Sequence, residues 1–338
     1  MRHCPLAIVM LTLVIATAAQ ATPPVELELA TERGLQITAP HEWLQLLAGL
    51  GIEDVRIRSA TPADEPQVTN RGSEARPRYH VVGILSARAE LHLPGGTFRR
   101  GDRTKLRDYF DQLAAEGSEG ITAPRGRFGL TAKQLLALHA DLAQPLDSPT
   151  QDERPANVLS RLQSKLAHRL EFDAAVEAEI RTARPFPDDL RGLTIGTGLA
   201  VVLRSFGLAL QPQKPRGEPV AIRVTTLDDN IETWPIGWDP ERLPREVVPV
   251  LMESLNVEIE NYTLRETLDA IQPRVKIPFL VDHWTLANEQ IDLDKVQVRI
   301  PQTRTFYKRI LDRALAQARL AGNLRVDEAG KPFLWITR

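Results

Sequence analysis

The segment His41-Glu42-Trp43-Leu44-Gln45 begins like the helix of a zinc protease, in which two histidines four residues apart hold the metal. The second ligand would stand at position 45, where glutamine cannot replace it, so a surface His-Glu pair at a helix start is the expectation. His80, His92, His139, His168 and His283 are scattered, with no pair at ligand spacing. No metal centre is therefore predicted. Ile195-Gly196-Thr197-Gly198-Leu199 lies between an expected strand and an expected helix, where free amides can hold an anion. A dinucleotide fingerprint would need a third glycine at position 201, which is valine, and no Walker lysine is present. The motif reads as a tight turn, with no cofactor expected.

There is no Gly-x-Ser-x-Gly elbow, and the only cysteine is Cys4. Asp228-Asp229-Asn230 and Asp292-Leu293-Asp294 lack the glycine and final glutamate of a calcium loop and read as solvated turns. No catalytic residue is assigned. A carboxylate pair gathered by the fold stays open, because its spacing in sequence is unconstrained. The most suggestive aromatics are Trp234 and Trp238, set in Trp234-Pro235-Ile236-Gly237-Trp238-Asp239-Pro240. They form either a contact patch for a partner or glycan strand, or pins that fix this segment to a neighbouring domain. His283 and Trp284 make a second candidate patch behind an expected strand.

The elements that position these residues are clearest towards the C-terminus. Val257-Glu258-Ile259-Glu260 alternates as a half-buried strand does. Thr263-Leu264-Arg265-Glu266 has capping-box spacing, and Leu264, Leu268 and Ile271 share one helical face up to Pro273, which should stop the helix. Ile277 to Val281 is a buried strand. The order then recurs: Val296, Val298 and Ile300 in a strand, then a helix through Phe306, Ile310, Leu311, Leu315 and Ala318. Gly322 is expected in the left-handed conformation after that helix, and a hairpin turns at Glu328-Ala329-Gly330-Lys331.

This order, with its capped Thr-Leu-Arg-Glu-Thr-Leu-Asp-Ala helix, resembles the short N-terminal domain of secretins and TonB-dependent receptors over about the last quarter of the chain. The resemblance implies a small periplasmic domain that mediates protein–protein contacts and has no catalytic residues. No secretin pore or β-barrel is expected to follow it. Residues 156–226 carry a shortened echo: a helix at Leu159, Leu162 and Leu166, strands at Leu170 to Phe172 and Leu190 to Ile195, a helix ended by Gly207, and a closing hairpin.

Upstream, Trp43, Leu46, Leu47 and Leu50 form one helical face, Val55 and Ile57 a strand, and residues 61–77 a loop. Strands follow at 79–85 and 89–93. Asp102 should cap a helix through Leu106, Tyr109, Phe110 and Leu113 that stops at Gly117, and Thr131 with Gln134 forms a second capping box. The reading is α+β and multi-domain, with small two-layer modules in tandem. Its parts are a signal peptide at 1–21, an N-terminal α+β domain at 22–150, a middle module at 151–230, a proline-rich linker at 231–249 and the C-terminal module at 250–338.

Met1-Arg2-His3, the apolar run Leu6 to Ala16 and Ala19-Gln20-Ala21 have the layout of a secretory signal peptide. Cys4 precedes the apolar run, so no lipid anchor is read. The mature chain would lack cysteine and a membrane span, and must be stabilised by its core alone. A formal charge of −2 and a pI near 6.4 give no electrostatic reason to expect nucleic acid. The function expected is that of an exported, non-enzymatic interaction or scaffold protein of the cell envelope, periplasmic or secreted, whose partner is another envelope protein. An envelope hydrolase with a fold-assembled carboxylate site is the alternative, and a structural piece of a secretin-like machine is a third reading. The sequence leaves the oligomeric state open.

Overall fold

The computed structural model describes residues 25–73, 76–215, 218–228 and 230–338. The signal peptide expected at 1–21, Cys4 and Asp229 lie outside the described residues. The chain divides into two compact units at Ala123/Pro124, and it is α+β throughout, as expected.

The first unit is a mixed sheet with two helices. Its strands and helices are β1 (Val25–Thr31), α1 (Ala39–Ala48), β2 (Asp54–Ser59), β3 (Gln67–Asn70), β4 (Tyr79–Leu85), β5 (Leu91–Leu93), β6 (Gly96–Phe98) and α2 (Arg103–Thr122). The sheet order is β2-β1-β4-β5-β6, with β3 antiparallel to the first half of β4. β1 runs parallel to both neighbours, so β1-α1-β2 is a crossover unit. The central strand β1 has no counterpart in the sequence reading, although Val25, Leu27 and Leu29 alternate and are all buried. β3 lies inside the expected loop at 61–77. Gly117 does interrupt α2, with φ of +72°.

The second unit begins with α3 (Ala132–Leu142), α4 (Pro155–Gln163), β7 (Leu170–Phe172), α5 (Ala174–Thr182), α6 (Ile195–Arg204), β8 (Leu208–Gln213) and β9 (Ala221–Thr226). It continues with α7 (Pro244–Val247), β10 (Ser254–Thr263), α8 (Leu264–Val275), β11 (Phe279–Val281), α9 (His283–Asn288), β12 (Gln297–Phe306), α10 (Tyr307–Gln317), β13 (Ala321–Val326) and β14 (Pro332–Thr337). The expected strand at 190–195 is instead irregular chain leading into α6. The short helices α5 and α9 were not foreseen. α8 runs past Pro273 to Val275, because a proline in the last turn forfeits one intrahelical bond without breaking the helix. Left-handed backbone after α10 falls on Arg319, with φ of +58°, and not on Gly322. Gly322 lies within β13, where a Cβ would meet Leu315 at 2.9 Å.

The internal echo is topological. β7 pairs parallel with β9, which pairs antiparallel with β8, giving the order β7-β9-β8. β11 pairs parallel with β14, which pairs antiparallel with β13, giving β11-β14-β13. In each set the first strand runs into an aspartate, Asp173 or Asp282, and then a short helix. The C-terminal copy adds a separate antiparallel pair, β10-β12.

The sheet β11-β14-β13 contributes to both cores of the second unit. Phe333 and Trp335 on β14, with Leu280 on β11, belong to the core formed by residues 130–234. Leu334 and Ile336, with Phe279 and Val281, belong to the core of the C-terminal copy. Alternation along β14 thus buries both faces, which is why this strand is an almost unbroken apolar run. The boundary expected near 150 does not coincide with the division at 123/124, since Leu130, Leu138, Leu142 and Leu146 pack with Leu159 and Leu199. Nor is 231–249 a free linker, because Trp234 and Val248 are each buried in one of these cores.

Candidate functional site

The proline-rich segment is held at both tryptophans. The Trp234 amide donates to the Leu210 carbonyl at 2.7 Å, and Trp238 exchanges two backbone hydrogen bonds with Val326 of β13. Gly237 between them has φ of +64°, and a Cβ there would meet the Phe333 ring at 2.5 Å. Trp234 is 3% exposed and stacks on Phe128 at 5.8 Å, while Trp238 meets it edge-on at 5.4 Å. A partner patch at Trp234 is therefore corrected to a buried pin, since no surface is left to offer. Trp238 is half-buried, and the Arg127 guanidinium lies 5.3 Å from its ring centroid. Glu232 accepts from Arg127 at 2.8 Å and from the Phe128 amide at 2.8 Å, and the Arg127 contact holds its carboxyl below the usual range.

The amides around Gly196 do hold an anion, and it belongs to the chain. Glu328, in the turn between β13 and β14, accepts from the Thr197 amide at 3.2 Å and the Thr197 hydroxyl at 2.8 Å. The Thr194 hydroxyl donates to the same oxygen, and Trp234 Nε1 donates to the other at 2.6 Å. Gly196 makes room for this carboxylate, because a Cβ would stand 2.4 Å from Glu328 Oε1. Adjacent Asp327 accepts from the amides of Thr194, Ala329 and Lys331. Burial, reinforced by the Glu328 charge, still pushes the Asp327 carboxyl up.

His283 and Trp284 sit at the start of α9, apart from the other two tryptophans in sequence and in contacts. His283 Nε2 pairs with Asp188 at 2.8 Å, and the Trp284 ring covers Gly207, where a Cβ would meet it at 2.7 Å. Asp282, 1% exposed, accepts from Arg204 at 2.8 Å and from Thr285 and Thr337. Burial works against its ionisation but is outweighed by Arg204 and Thr285, so its carboxyl lies below the ordinary range. All four aromatic candidates thus make contacts inside the second unit. His41 is exposed and contacts Gln45, as a surface residue would. Among the described residues no group of three His, Cys, Asp or Glu is placed to hold a metal. Asp228 and Asp292 each take the amide two residues on, which makes them turn residues.

A surface suited to a partner lies instead on β10, whose alternation marks it only as a strand. β10 is ten residues long and pairs with β12 alone among the described strands, so its other edge presents unpaired amides and carbonyls. Leu255, Val257 and Ile259 are half-buried on its inner face, while Asn256, Glu258 and Glu260 are exposed. Beside it runs a groove of about 310 Å³ lined by Val257, Ile259, Tyr262, Ile271, Tyr307 and Ile310. Tyr262 is 56% exposed at its rim. β12, by contrast, carries Pro301, which has no N–H to offer a new strand. The capping box predicted at Thr263 and Glu266 is present where β10 passes into α8. No family model, curated protein or solved structure matches the chain.

Proposed function

We propose that this chain is an exported, non-enzymatic docking protein of the cell envelope, which takes an extended segment of another envelope protein along the free edge of β10. The open edge over a half-buried apolar face carries this reading, because added main-chain hydrogen bonds give affinity and the groove selects alternate side chains. The resemblance of residues 256–338 to the short N-terminal domain of secretins and TonB-dependent receptors supports it. So does the signal-peptide-like start of the chain, which is in keeping with an envelope partner.

Photo-crosslinking side chains placed at Glu258 and Tyr262 test the proposal in cells. Discrete adducts with one envelope protein are expected from both positions, and none from Leu136, an exposed apolar residue on α3. Absence of adducts from β10, or the same adducts from Leu136, would defeat it.

A further inference from the structure

The outward face of β10 carries a charge that β12 answers only weakly. From Ser254 to Thr263 the strand has two acids, Glu258 and Glu260, and no lysine, arginine or histidine. Both glutamates are exposed, on the face opposite Val257 and Ile259. Glu258 lies where the ladder shifts register between Val257 and Ile259, so Pro301 and Gln302 stand across from it, and neither is charged. Arg304 stands across from Asn256. Glu260 meets Arg299 only at 3.7 Å, and both side chains are largely exposed, so water screens that pair. The groove beneath the edge is aliphatic at Val257, Ile259, Ile271 and Ile310. Among the residues lining it the one base, Arg274, belongs to α8 and not to the strand.

We infer that the segment taken up by β10 alternates basic with apolar residues, with lysine or arginine beside Glu258 and Glu260 and aliphatic side chains over the groove. This assignment rests on β10 being the docking edge proposed above, and it names the chemistry of what docks there. A strand added to an edge keeps the two-residue period, so its side chains meet the outward and the inward face in turn. Its outward positions meet two carboxylates and its inward positions an aliphatic wall. Directly opposed side chains on one face of a sheet interact, opposite charges favourably and like charges not. The same charges select against a second copy of this chain. Pairing β10 with β10, in either direction and with the apolar faces on the same side, would gather two glutamates from each strand on one face, with no base from either.

Fluorescently labelled peptides of the length of β10, alternating valine with lysine, serine or glutamate, are titrated into the purified chain and followed by anisotropy. The lysine peptide is expected to bind about fivefold tighter than the serine peptide, the effect of two opposed charge pairs, with the glutamate peptide weakest. Its lead should shrink as added salt screens exposed charges. A peptide with the same lysines and valines gathered in two blocks should lose the lead, which separates strand register from bulk attraction. Glu258→Lys combined with Glu260→Lys should reverse the order, so that the glutamate peptide binds best, whereas loss of fold would abolish binding of all three. Equal binding of the three peptides, with crosslinks from β10 retained in cells, would overturn the charge selection and leave the docking edge in place. No saturable binding of any peptide, together with absence of those crosslinks, would remove both. Crosslinks from Tyr262 to a second copy of the chain would overturn the choice of occupant.

Discussion

Trp234 Nε1 donates to Glu328 Oε1 at 2.6 Å, across 94 positions of sequence. The same carboxylate takes Thr194 and Thr197 at the start of α6, so three distant segments meet on one side chain. Glu328→Ala would strand two hydroxyls, an amide and an indole N–H in a buried space. Each unsatisfied group costs roughly 1–3 kcal/mol, so a loss of at least about 3 kcal/mol is expected by urea denaturation. Trp234→Phe removes one of these donors and should cost less, about 1–2 kcal/mol. Equal and small losses would mean that water replaces the carboxylate readily.

Gly207 and Trp284 give a packing counterpart. Gly207 has φ of +69°, and its missing side chain is the space that the Trp284 ring occupies. Gly207→Ala should cost about 2–4 kcal/mol, combining left-handed backbone strain with the clash. In a Trp284→Ala background only the backbone part, about 1 kcal/mol, should remain. Additive losses in the double variant would show that the ring does not press on this residue.

Two buried aspartates should respond to pH in opposite senses. Asp282 has a lowered carboxyl pKa in the folded chain, so its contribution is present above the ordinary carboxylate value and is lost as pH falls through the lowered one. Asp282→Asn should therefore cost about 3 kcal/mol near neutrality, towards the low end for a broken buried pair because Arg204 keeps some contact with water, and less in acid. Asp327 has a raised carboxyl pKa, so its contribution is present below the ordinary value and is lost as pH rises through the raised one. Asp327→Asn should compare more favourably with the unaltered chain as pH rises. Denaturation midpoints for both variants across the acid range check the signs, and parallel pH profiles would contradict them.

What the sequence revealed, and what it hid, follows from the range of the interactions. β10, α8, β12, α10 and the closing hairpin were legible because alternation, the Thr263–Glu266 capping box and Gly330 act within a few residues. β1 is as regular, but its alternation starts directly after Pro23-Pro24 and is only seven residues long. The helices α5 and α9 are short and begin just after a strand, and their buried apolar positions are few, Val176 and Ile180 in the one and Leu286 in the other. The anion held at Thr197 was out of reach, since its carboxylate stands 131 positions away. Burial of Trp234 was hidden for the same reason: proline spacing reads as a linker until β13 and β8 are seen to bond with it.

The β10 surface allows binding to be separated from folding. Tyr262 is largely exposed, so Tyr262→Arg removes groove surface while costing little stability, within about 0.5 kcal/mol as for surface changes generally. Thr263→Ala, one residue on, should cost about 1 kcal/mol, because its hydroxyl takes the Glu266 amide at 3.2 Å and caps α8. If β10 is the docking edge, the arginine variant loses crosslinking to the partner with its unfolding curve unchanged. The alanine variant shifts the unfolding curve and keeps the crosslink at temperatures where it stays folded. The reverse assignment, partner lost on weakening the cap and kept with arginine at 262, would place the binding surface elsewhere on the second unit.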